Sequence, residues 1–71
     1  MTERVVVSPA AGLFAPVADL DAGRPIEAGD LLGTVGEAEV RSPFSGRIEG
    51  VLAHIGERVM SRQPIAWLRT A

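Results

Sequence analysis

The side chains able to do chemistry in these 71 residues are one histidine, His54, four serines, nine carboxylates and seven arginines, with no lysine and no cysteine. Arginine keeps its charge and offers no nucleophilic amine. Without an ε-amino group the chain forms no lysine Schiff base and carries no acyl group in a side-chain amide. Without cysteine it has no thiolate ligand, no disulfide and no thiol redox chemistry. A Ser–His pair would have to bring Ser8, Ser42, Ser45 or Ser61 to His54, and none of the four lies in a nucleophile-elbow pattern. His54 reads as a solvated loop histidine. Glu37 and Glu39 stand two apart and would share one side of an extended segment, but paired acid–base work needs a pocket, and surface solubility explains them better. A zinc or iron site would be nearly all carboxylate, so no metal is assigned. Glycines lack both phosphate-cradle spacings, and the P-loop lysine is missing. No catalytic residue is assigned, and the chain is expected not to be an enzyme.

The elements holding these side chains must form one small domain, 1–71, that buries only a little over half of its unfolded surface. A net charge of −2, with acids and arginines interspersed, makes no field for nucleic acid or anionic membrane. Three aromatics, Phe14, Phe44 and Trp67, are too few and too scattered for a base-stacking platform. Apolar runs such as Val5-Val6-Val7 are short, and acidic Glu3 stands where a signal peptide would be basic, so a cytoplasmic protein is expected.

An internal repeat decides the architecture. Ser8-Pro9-Ala10-Ala11-Gly12 matches Ser42-Pro43-Phe44-Ser45-Gly46 at an offset of 34, and Gly23 to Val35 matches Gly56 to Leu68 at an offset of 33. Ile26 then falls on Val59, Leu32 on Ile65 and Val35 on Leu68, so core-facing positions recur in half-repeats of about 4–35 and 38–69. Short apolar runs broken by Gly and Pro leave no room for a 3.6-residue stripe and predict strands. Eight are expected, at Arg4–Val7, Gly12–Val17, Arg24–Ile26, Leu31–Val35, Ala38–Arg41, Gly46–Ala53, Arg58–Met60 and Ile65–Arg69. The fourth and fifth are joined by Gly36-Glu37, a Gly-X pair that predicts a type II′ turn. The expected fold is all-β, a flattened barrel of two four-stranded antiparallel sheets with a pseudo-two-fold axis.

Taken together, Gly29-Asp30-Leu31-Leu32-Gly33-Thr34-Val35, Val40-Arg41-Ser42-Pro43-Phe44-Ser45-Gly46-Arg47-Ile48, Gly56-Glu57-Arg58-Val59 and Gln63-Pro64-Ile65 resemble the biotinyl and lipoyl carrier domains and the wider barrel-sandwich hybrid modules, over nearly the whole chain. The resemblance implies a cofactor-bearing lysine at the tip of the hairpin joining the halves. Carriers have a tip resembling Glu-Ala-Met-Lys-Met or Asp-Lys-Ala; this chain has Gly36, Glu37, Ala38 and Glu39, about four residues shorter by that alignment and without lysine. No cofactor is therefore expected. A second departure is Arg62, where the family usually has a turn glycine.

Two readings of the short tip compete. In one the chain is a non-carrier barrel-sandwich module, of the kind found in efflux adaptors and some deacylases. In the other it has kept a carrier's docking surfaces and lost the swinging arm, serving as a non-acylated scaffold for a carboxylase or acyltransferase component. The second is preferred here; self-association as a homo-oligomer and small-molecule binding around Glu37, Glu39 and His54 are the alternatives. The contact candidates are Phe44, an exposed anchor near the tip or a plug in the barrel end, and Trp67 with Arg69. In Ile65-Ala66-Trp67-Leu68-Arg69 the alternation does not say which set faces inward.

Overall fold

The computed structural model describes residues 2–70 and contains eight strands and no helix among them. They are β1 (Thr2–Val7), β2 (Gly12–Pro16), β3 (Pro25–Ile26), β4 (Leu31–Val35), β5 (Ala38–Arg41), β6 (Gly46–Val51), β7 (Arg58–Val59) and β8 (Pro64–Thr70). All eight expected strands are present, with ends differing by no more than two residues. One four-stranded sheet has the order β1-β8-β6-β3 and the other β5-β4-β2-β7, with every pairing antiparallel.

The repeat explains that order. Shifting by 33 or 34 residues carries β1 onto β5, β2 onto β6, β3 onto β7 and β4 onto β8, and so turns the first sheet order into the second. Each sheet takes strands from both halves. Repeated positions also make repeated bonds: Gly23 N–H donates to Ile48 O at 2.6 Å where Gly56 N–H donates to Phe14 O at 2.8 Å. Ile48 N–H to Arg24 O and Phe14 N–H to Glu57 O, both 2.9 Å, form the return pair.

Between the sheets lies one apolar core in which Phe14, Leu32, Ile48, Ile65 and Leu68 are fully buried. Burial of this kind supplies about 25 cal/mol per Å² of apolar surface. The two buried polar residues, Ser8 and Ser42, are repeat mates just after β1 and β5. Ser8 Oγ donates to Ala10 O at 2.5 Å, and Ser42 Oγ donates to Phe44 O at 2.6 Å while accepting from Phe44 N–H at 3.1 Å. A hydroxyl satisfied within its own turn avoids the cost of an unpaired buried polar group.

Glycine is required at Gly33, where a Cβ would stand 2.5 Å from Ala15 O on the neighbouring strand. The turn after β3 uses Gly29 at φ +94°, and the equivalent turn after β7 puts Arg62 there at φ +69°. The departure seen in sequence is thus a side chain held in the left-handed region that favours glycine.

Candidate functional site

Of the two departures from the carrier pattern, the hairpin tip is the one that bears on chemistry. Val35 pairs with Ala38, leaving Gly36 and Glu37 as a two-residue turn. Gly36 has φ +58° and Glu37 has no positive φ, as the expected type II′ turn requires. Gly36 N–H donates to Leu13 O of β2 at 3.1 Å, so the tip is tied to the neighbouring strand and does not stand clear of the sheet. Gly36 and Glu37 are exposed, and Ala38 is half-buried. Exposed Glu39 forms an ion pair with Arg41 at 3.2 Å, and Arg41 Nη1 also donates to Gly29 O at 2.9 Å. The tip therefore presents carboxylates and backbone, with no amine to acylate.

Phe44 is half-buried, packs against the core and has the Arg4 guanidinium 5.6 Å from its ring centroid. A partly solvated cation–π contact of this kind contributes on the order of 0.5–1 kcal/mol. β5 runs from the tip toward Phe44, so the two stand at opposite ends of that strand, and Phe44 serves as a partial plug beside β1. His54 lies in the turn before β7 and Glu39 on β5, which are opposite edges of one sheet. The carboxylates at the tip and the histidine do not meet in one pocket.

On the C-terminal strand, Ala66 and Leu68 are fully buried and Trp67 faces outward, half-exposed. Ile65 is also buried, because β1 pairs Val6 with Ala66 and then Val7 with Pro64, passing over Ile65 as a bulge. Trp67 stands opposite Val5 on one side and Gly50 on the other. A Cβ at Gly50 would strike the indole Nε1, so the glycine lets the ring lie against β6. Arg69, on the same outer face, meets Glu3 at 3.5 Å and Glu49 at 3.3 Å. These exposed pairs contribute little stability, about 0–1 kcal/mol each. Arg69, Arg47, Glu49, Gly46 and Pro25 line an open groove of about 390 Å³.

The sequence singles out Trp67 and Arg69 as contact candidates but not Glu49 and Arg47, which stand beside Arg69 in this groove. Glu49 follows Arg47 on the outer face by strand alternation, and the bulge between Ile48 and Gly50 leaves it without a partner directly opposite on β8. Gly50 in the interior of the strand is the sequence signal for that bulge. Among the described residues there is no cluster of three or more His, Asp or Glu side chains able to hold a metal ion, and no helix long and apolar enough to cross a membrane.

No protein-family model and no curated protein matches the chain. Solved structures do. Urea carboxylase from Kluyveromyces lactis is similar at 27% identity and a TM-score of 0.79, over 97% of this chain and 6% of that one. A single-chain, multi-domain long-chain acyl-CoA carboxylase is similar at 22% identity and a TM-score of 0.84, over 97% and 7%. A succinylglutamate desuccinylase/aspartoacylase family protein from Shewanella amazonensis is similar at 20% identity and a TM-score of 0.77, over 96% and 20%. The chain thus spans at most a fifth of the length of these three proteins, and its likeness to the carboxylases is that of a biotinyl-like β-domain.

Proposed function

We propose that this chain is a non-acylated, carrier-shaped interaction module, without catalytic activity, that docks on a biotin- or acyl-CoA-dependent enzyme complex in the cytoplasm. The observation that carries the reading is the tip: a two-residue turn tied to β2 through Gly36, with no lysine, on a fold similar to parts of two carboxylases. A barrel that keeps the carrier's outline but presents no amine can occupy a carrier's docking place without transferring anything. The edge bounded by the tip and Phe44 supplies the contact, with the Trp67 and Arg69 face as a second surface. Affinity capture from the native cell tests this: a carboxylase, acyltransferase or ligase subunit is expected to be retained, and its loss on substituting Phe44 or Trp67 would locate the surface. Recovery of none of these subunits would count against the proposal. A second reading, a non-carrier structural module, draws on the likeness in fold to the desuccinylase/aspartoacylase protein.

A further inference from the structure

Each sheet has one long edge strand, β1 in the first and β5 in the second, and these two are repeat mates guarded differently at equivalent positions. At β5 the outward positions are Glu39 and Arg41, which pair with each other, and Arg41 reaches across to Gly29 O. Charges of this kind are how natural sheets blunt an open edge. At the equivalent positions of β1 stand Val5 and Val7, which are 49% and 46% exposed. The neighbouring outward residue differs in the same sense, since Thr34 on β4 corresponds to Trp67 on β8. One architecture has therefore produced an edge charged through its second half at β5 and, at β1, one that is apolar from Val5 to Val7 and charged only at Glu3 and Arg4, and the fold does not demand the apolar half.

We propose that β1 pairs antiparallel with β1 of a second copy, joining two barrels through one continuous sheet. Inward and outward side chains alternate, so a two-fold pairing that keeps both cores covered must be centred on a residue, not between residues. Centred on Glu3 or Arg4, it sets like charges directly opposite, which destabilises a sheet. Centred on Val6, it ends after three residues, because Ser8 is already committed to its turn. Centred on Val5, five residues pair: Val5 meets the second copy's Val5, Arg4 meets Val6, and Glu3 meets Val7. Since Val5 also faces Trp67 within its own sheet, this register lays an unbroken outer stripe from Trp67 through both Val5 side chains to the second copy's Trp67. The strand is thus self-complementary in a single register, which selects a second copy over an unrelated strand. The contact is a single pairing of five residues, at the small end of protein interfaces, so the dimer is weak and exchanging.

The proposal is independent of the docking reading and fails or stands on its own measurements. Sedimentation of the full chain from about 10 µM to about 1 mM is expected to show the mass doubling. Setting like charges directly opposite each other in that register, as Val5→Glu with Val7→Glu, is expected to hold the mass at the monomer value. A wild-type chain that stays monomeric throughout, or a folded double variant that still doubles, overturns the proposal. The chain has no cysteine, so single substitutions report the register directly. Directly opposed residues in an antiparallel pair lie within disulfide range. Val5→Cys is expected to cross-link at least tenfold faster than Arg4→Cys under mild oxidation, and equal rates would overturn the register.

Discussion

Arg62 bears a strain that its repeat mate does not. It is exposed, at φ +69°, where the other half has Gly29. A left-handed side chain costs about 1–2 kcal/mol, and glycine gives back part of that gain through a freer unfolded chain. Arg62→Gly should therefore stabilise the fold by about 0.5–1 kcal/mol and raise the thermal midpoint by about 5 °C, read by circular dichroism. A lower midpoint would mean that the arginine makes a contact worth more than the strain. The buried serines carry a paired prediction. Ser8→Ala and Ser42→Ala each remove the hydroxyl that satisfies a tight turn, and each should cost about 1–2 kcal/mol in denaturant unfolding. Because the two turns are equivalent, the costs should agree closely; a wide difference would show that the repeat is geometric without being energetic. The repeat made both serines visible in sequence. It did not orient Trp67, because alternation alone has no sign; the bulge at Ile65, which buries Ile65 as well as Ala66, sets it.

The elements were more legible than the site. Proline and glycine punctuation marked all eight strands, and Gly-X identified the central turn, because backbone conformation at those residues is restricted locally. Sequence did not show that Phe44 and the hairpin tip lie at opposite ends of β5, since residues close along a chain are separated by the length of the strand between them. Nor did it separate the outward valines of β1 from the buried one within Val5-Val6-Val7. The tip itself yields a prediction that separates length from chemistry. If missing lysine alone prevented modification, Glu37→Lys would restore it. Because the turn has only two residues and Gly36 is bonded to Leu13 O, the new amine would lie close against the sheet. Glu37→Lys incubated with a biotin ligase or a lipoate ligase should show no mass increment. A variant whose tip is lengthened by about four residues around a lysine should gain one, as the carrier resemblance implies. Modification of Glu37→Lys alone would remove tip length from the explanation.

At the scale of the whole molecule the interleaving of the halves governs how the chain folds. Of the six strand pairings, only β2 with β4 and β6 with β8 lie within a half. β1 with β8, β2 with β7, β3 with β6 and β4 with β5 all cross between halves. A half on its own would hold two paired strands and two without a partner, with the inner face of each sheet open to water. An isolated strand pair is marginal at best, and the single core includes Phe14 and Leu32 from one half and Ile48, Ile65 and Leu68 from the other. Cutting the chain between Gly36 and Glu37 tests this without removing a residue. Fragments 1–36 and 37–71 should each lack a cooperative thermal transition and show the circular dichroism of an unfolded chain. Mixed in equal amounts they should regain the β spectrum, with a midpoint that rises with concentration because folding has become association. Recovery should also be slow, since most pairings join distant residues and the loop-closure entropy is lost before those contacts form. A cooperative melt from either fragment alone would show that a half-repeat is a folding unit in its own right, and the two-fold barrel would then be an assembly of two units instead of one core shared by both.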